Sequence, residues 1–98
     1  MNLEDWRGEI DEIDREIVKL IERRARVVRK IGEIKMTSRL PARDKLREID
    51  VLRNIRTAST GGMSEVALVR IFSEIMRESR ELQRTILERS AEGVEARW

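Results

Sequence analysis

The residues able to do chemistry in this 98-residue chain form a restricted set. There is no cysteine, no histidine and no tyrosine. Disulfides and thiolate metal sites are excluded, and the usual general base near neutral pH is missing. What remains is arginine, lysine, the carboxylates, serine, glutamine and the backbone. Several of these stand where a plain amphipathic helix would carry something else. Arg24 occupies a seam position between Leu20 and Val27 that the pattern reserves for an apolar side chain. Arg7 and Lys35 flank the same seam. Ser79 and Gln83 form an i,i+4 pair on one helix face. Asp44, Arg47 and Glu48 cluster just after Pro41.

Each feature has a plainer reading beside the functional one. Arg7 and Lys35 read as solvated flanks, Arg47 and Glu48 as surface charges. Asp44 reads as a helix cap. Ser79 can bond back to the carbonyl one turn earlier, and Gln83 can sit as an amide at the core edge. Arg24 stands between two readings, a buried ion pair with a structural carboxylate or a clamp for an anionic guest. Burying an unpaired charge costs several kcal/mol or more, as a rough estimate. Taken together, the cations, the amide, the hydroxyl and the carboxylate suit a cavity in a helical bundle that holds a small multi-anionic ligand with hydroxyl groups. No nucleophile–base pair accompanies them. The chemistry expected is electrostatic complementarity and conformational restraint without proton transfer.

Three helices must position these residues. Leu3, Trp6, Ile10, Ile13, Ile17, Leu20, Val27, Ile31 and Ile34 recur at 3–4 spacing, which predicts one long helix from Leu3 to about Met36. At 1.5 Å per residue it would be roughly 50 Å long. That exceeds the diameter of a compact domain of this size, so part of the stripe needs cover from a second copy. Thr37 to Pro41 break the pattern. Asp44 then caps a short helix with Leu46, Ile49, Leu52 and Ile55 as its apolar face. Thr57 to Gly62, TASTGG, is a loop. Ser64 caps a third helix to about Ser90, with Leu68, Phe72, Ile75, Leu82 and Ile86 as its stripe and Ser79 as its polar seam position. The fold class expected is all-α, three helices of unequal length. Residues 1–90 make the domain and 91–98 a frayed tail.

Bulk properties narrow the class further. The chain is 40% apolar, 41% charged and only 3% aromatic, so its core must be thin and aliphatic. Net charge is only +2 despite a pI near 9.5, and the signs are interspersed. No stretch is long and apolar enough to span a membrane, and the acidic N-terminus lacks a secretory pattern. A cytoplasmic location is expected, without metal, membrane or nucleic-acid partners.

The motifs resemble those of the all-α chorismate mutases. Arg7-Gly-Glu-Ile-Asp-Glu-Ile-Asp14 matches the family's opening pattern, and Arg24 with Gly32-Glu-Ile-Lys35 matches its continuation. Pro41-Ala-Arg-Asp-Lys-Leu-Arg-Glu48 matches the loop signature. Ile71-Phe-Ser-Glu-Ile75 and Ser79-Arg-Glu-Leu-Gln83 match the closing motifs. Any one of these is weak; all in order, over residues 3 to 88, are specific. The resemblance implies an intertwined helical homodimer that converts chorismate to prephenate, on the shikimate route to phenylalanine and tyrosine, without cofactor or metal. By the same resemblance, Arg24 and the partner chain's Arg7 grip the substrate's carboxylates, with Arg47 in support. Lys35 and Gln83 donate to the ether oxygen, and Glu48 accepts from the ring hydroxyl. Asp44 and Ser79 complete the lining. Two rivals stand beside this reading: an isochorismate pyruvate lyase on the same fold, and a non-catalytic helical dimerisation or nucleic-acid-binding module.

Overall fold

The structure, a computed structural model, describes residues 1–95. It contains α1 (Leu3–Ser38), α2 (Lys45–Ala58) and α3 (Glu65–Glu95), and no strand among the described residues. The three unequal helices are those the periodicity predicts. α1 continues two residues past the expected Met36, and α3 five residues past Ser90. The expected tail is helical as far as Glu95, and residues 96–98 lie outside the described residues.

The helix ends follow from local chemistry. The Asn2 side chain accepts from the Asp5 N–H at 2.9 Å, and the Asp5 carboxylate accepts from the Asn2 N–H at 3.0 Å. This reciprocal box satisfies two donors that the first turn of α1 leaves open. At the other end Arg39 takes a left-handed conformation, φ 55°, and Leu40 N–H bonds the Lys35 carbonyl at 2.9 Å. That conformation costs a residue with a Cβ about 1–2 kcal/mol. It ends the helix two residues before Pro41. Asp44 caps α2 by accepting from Arg47 N–H at 2.9 Å. Ser64 Oγ accepts from Ala67 N–H at 3.1 Å at the start of α3. Gly61, φ 87°, supplies the left-handed step in the loop between them.

α1 and α2 each pack on α3 and not on each other. The protomer measures 65 × 28 × 15 Å, with a radius of gyration of 17.6 Å, against about 13 Å for a compact chain of this length. Its buried apolar side chains are only Val28 and Met76 among the described residues. The seam expected on α1 is not the face that meets α3. Ile10 is 55% exposed, and Leu3, Trp6, Ile13, Ile17, Leu20, Val27 and Ile34 are exposed with it. The face turned to α3 carries Arg24, Ala25, Val28, Gly32 and Lys35 instead. α1 therefore has two working faces, one used within the chain and one left open.

α2 shows a smaller correction. Leu46 is 77% exposed and Ile49 is exposed too. The inward face runs through Glu48, Val51, Leu52 and Ile55. A helix this short needs only one apolar turn against α3, so Glu48 takes an inward place in its first turn.

Candidate active site

The space between α1 and α2, floored by α3, is a cavity of about 350 Å³. Such a volume lies at the small end of ligand pockets, about 300–1,000 Å³. α1 contributes Arg24, Val28 and Lys35, with Arg24 and Lys35 about three turns apart on one face. α3 contributes Met76, Ser79, Arg80 and Gln83, a continuous i,i+3,i+4 stripe. The connection and first turn of α2 contribute Ala42, Asp44, Arg47 and Glu48.

Seven of the eight expected site residues are thus brought together. Arg7 is not. It lies in the first turns of α1, exposed, and donates to Glu4 at 2.7 Å. Seventeen residues of helix put it roughly 25 Å from Arg24 along the axis.

Arg24 is half-buried and donates to Ser79 Oγ. Ser79 in turn donates to the Ile75 carbonyl at 2.8 Å. Ser79 both bonds back along its helix and lines the cavity, because the hydroxyl has a proton for one partner and lone pairs for the other. Burial, and then the charge of Arg47, lower the Arg24 pKa from its ordinary value. Among the described residues Arg24 has no carboxylate within salt-bridge distance. The structural ion pair that sequence alone leaves open is absent there. In its place two arginines approach one cavity from opposite walls.

Lys35 Nζ donates to Gln83 Oε1 at 2.8 Å and to the Ala42 carbonyl at 2.7 Å. An ammonium cannot accept, so the amide oxygen of Gln83 must face it. Gln83, buried at 7% exposure, therefore turns its NH₂ elsewhere. Gly32 gives this pairing room, since a Cβ there would lie 3.1 Å from Ile86 Cδ1, closer than an ordinary contact, and would touch Gln83 Cγ at 3.5 Å. The missing side chain lets α1 and α3 approach closely one turn before Lys35.

Glu48 Oε1 accepts from Arg80 Nη1 at 2.8 Å and from Arg43 Nε at 3.3 Å. Arg80 is a cavity residue that sequence reasoning misses. In a chain with 21 basic residues it looks like its neighbours Arg77 and Arg84, which pair with Glu74 and Glu81 on the surface. The available signal was its place four residues after Met76 and beside Ser79, on the same stripe as Gln83. Asp44 is both cap and lining, so its two readings also hold together. Counting Arg24, Lys35, Arg47 and Arg80 against Asp44 and Glu48, the lining carries a net charge of +2. A small dianion matches that balance.

Residues 6–84 match the family model for chorismate mutase type II. The chain belongs to that family. A chorismate mutase (Form II) from Thermus thermophilus has the same fold, with a TM-score of 0.81 and 29% identity over 84% of this chain and 93% of that one. A bifunctional chorismate mutase/prephenate dehydratase from Aquifex aeolicus is 35% identical over 88 residues, 86% of this chain and 24% of that protein. The T-protein of Haemophilus influenzae is 36% identical over 78 residues, 79% of this chain and 21% of that protein. The chain therefore spans about a quarter of the length of the curated relatives it matches. The matched region of the chorismate mutase family contains every cavity residue named above.

Proposed function

We propose that this chain is a chorismate mutase, rearranging chorismate to prephenate in aromatic amino acid biosynthesis. The observation that carries the reading is the Lys35–Gln83 pair. With its oxygen engaged by Lys35, Gln83 keeps its N–H donors out of that bond, and both side chains line the cavity. In the reaction an ether C–O bond breaks while a C–C bond forms between the two ends of the molecule. Electrons shift in one cycle, and no proton, metal or cofactor enters the balance. Negative charge gathers on the ether oxygen in the transition state. Two donors aimed at that atom bind the transition state better than the substrate, which lowers the barrier.

The other groups restrain the substrate. Arg24 and the partner chain's Arg7 hold its two carboxylates by charge-assisted hydrogen bonds, with Arg47 in support. Ser79 fixes the Arg24 guanidinium. Glu48 accepts from the ring hydroxyl, and Asp44 holds the start of α2 in register with α1. The compact conformer that brings the two carbon ends together is then the bound one.

The reading includes a homodimer. The open seam of α1 is long, apolar and regular, and a second copy would cover it. Arg7 is too far from its own cavity to serve it, but an antiparallel partner helix would deliver Arg7 to the neighbouring site. A cytoplasmic location goes with this reading; among the described residues no helix is long and apolar enough to cross a membrane.

The test is product analysis with the purified chain. Prephenate from chorismate is the expected outcome. Salicylate and pyruvate from isochorismate would make it the lyase, and no turnover of either would leave a binding module. The shared site is tested by mixing inactive Arg7→Ala and Arg24→Ala chains. Activity returns on mixing if one site of the mixed dimer is assembled from the intact halves, and stays absent if each chain serves its own site.

A further inference from the structure

We infer that Arg80 is a positioning residue for Glu48, setting which carboxylate oxygen faces the substrate; this rests on the mutase reading. Glu48 comes from the first turn of α2, and Arg80 from α3, thirty-two residues later. Their contact, Arg80 Nη1 to Glu48 Oε1 at 2.8 Å, crosses the cavity wall and is only partly exposed, 29% for Arg80 and 20% for Glu48. The more exposed Arg43 donates to the same oxygen at 3.3 Å. Both cations thus engage Oε1. The lone pairs of Oε2 are left for a donor in the cavity.

Two consequences follow for a dianionic substrate carrying a hydroxyl. A carboxylate in such a cavity repels the substrate's own carboxylates. Arg80 offsets that charge at its source, so Glu48 can remain as an acceptor without weakening the grip of the arginines on the substrate. A carboxylate on the end of a three-torsion side chain is also a poor template unless anchored. Anchoring through one oxygen fixes the plane of the other. Arg80 lines the cavity as well, but its Nη1 is engaged by Glu48, and on this inference it acts through that residue and not as another clamp.

The experiment is a double-mutant cycle on the full chain, with kcat and KM for chorismate measured for wild type, Arg80→Met, Glu48→Gln and the double variant. Arg80→Met is expected to lower kcat/KM by about tenfold to a hundredfold, the range for losing a charge-assisted hydrogen bond. In the double variant the loss should be close to that of Glu48→Gln alone, because Arg80 has nothing left to position. Arg80→Lys should recover part of the loss. Arg84→Met removes the same charge from the neighbouring surface pair and should leave kcat/KM unchanged. Circular dichroism accompanies each variant, and Arg80→Gln, which keeps a polar end, carries the test should Arg80→Met not fold. Wild-type kcat/KM in either of these at full helicity overturns the inference. So do losses that multiply in the double variant, which would make Arg80 independent of Glu48. Failure of wild type to turn over chorismate is a different result, and sinks the mutase reading itself.

Discussion

Replacing Lys35 with methionine should separate catalysis from folding. The ammonium has three protons. One goes to Gln83 Oε1 at 2.8 Å and one to the Ala42 carbonyl at 2.7 Å, which leaves one for the substrate. Methionine keeps the apolar stem against α3 and removes all three. Losing a donor aimed at developing charge costs about 3–4 kcal/mol, a rate loss on the order of 10²–10³. Gln83 also loses the partner that turns its amide, so the loss should fall at or above the upper end. The folding cost is smaller. Two charge-assisted bonds disappear, but so does the ordering of a long cation, and the half-exposed Ala42 carbonyl regains water. A net cost of about 1 kcal/mol would lower Tm by about 4–8 °C for a domain of this size. Initial rates of chorismate disappearance by absorbance, over a range of substrate concentrations, give kcat and KM; a thermal melt gives Tm. The loss should lie in kcat, since the donors act on charge present only in the transition state. A kcat within about threefold of wild type, or a loss confined to KM, would refute the assignment of Lys35 to the ether oxygen.

Arg24→Met should remove measurable substrate binding, because truncating one partner of a buried charge pair costs about 2–5 kcal/mol. Its Tm should hold or rise, since burial and Arg47 both oppose this charge in the empty site; calorimetry with and without substrate checks both halves. Gly32→Val should push α3 away from α1, costing about 1–3 kcal/mol by overpacking, and should depress kcat more than Gly32→Ala, for which Ile86 Cδ1 can give way at 3.1 Å. Ile10→Asp combined with Ile17→Asp changes two exposed positions. Sedimentation is expected to give dimers for the native chain and single chains for this variant, with activity lost although the cavity is untouched.

Much of this was legible from residue spacing. The long 3–4 repeat identifies α1, Pro41 its end, and Asp44 and Ser64 the starts of the next two helices. Arg24 is conspicuous because an apolar pattern surrounds it. Arg80 is not, because arginines surround it, and only its tertiary contact with Glu48 distinguishes it from Arg77 and Arg84. The face of α1 turned to α3 was hidden for a related reason. Ala25, Val28 and Gly32 are small and lie beside a louder stripe of isoleucines. Close helix approach selects small side chains, which carry little hydrophobic signal. The inward turn of Glu48 was unreadable on its own, since its burial depends on a partner from α3.

That α1 and α2 share a floor but no wall has a consequence for how this molecule should be measured. The Lys35–Ala42 bond, with the Leu40 N–H on the Lys35 carbonyl, ties the end of α1 to the segment leading into α2. On the proposed reading, a dianion held between Arg24 on one wall and the α2 side of the cavity would act as a strut between them. A ligand that binds the folded chain and not the unfolded one adds RT ln(1 + [L]/Kd), about 2.7 kcal/mol at a hundredfold excess over Kd. The melting temperature of this chain should therefore rise with the concentration of such a dianion, and an unchanged Tm at saturating chorismate would speak against the strut.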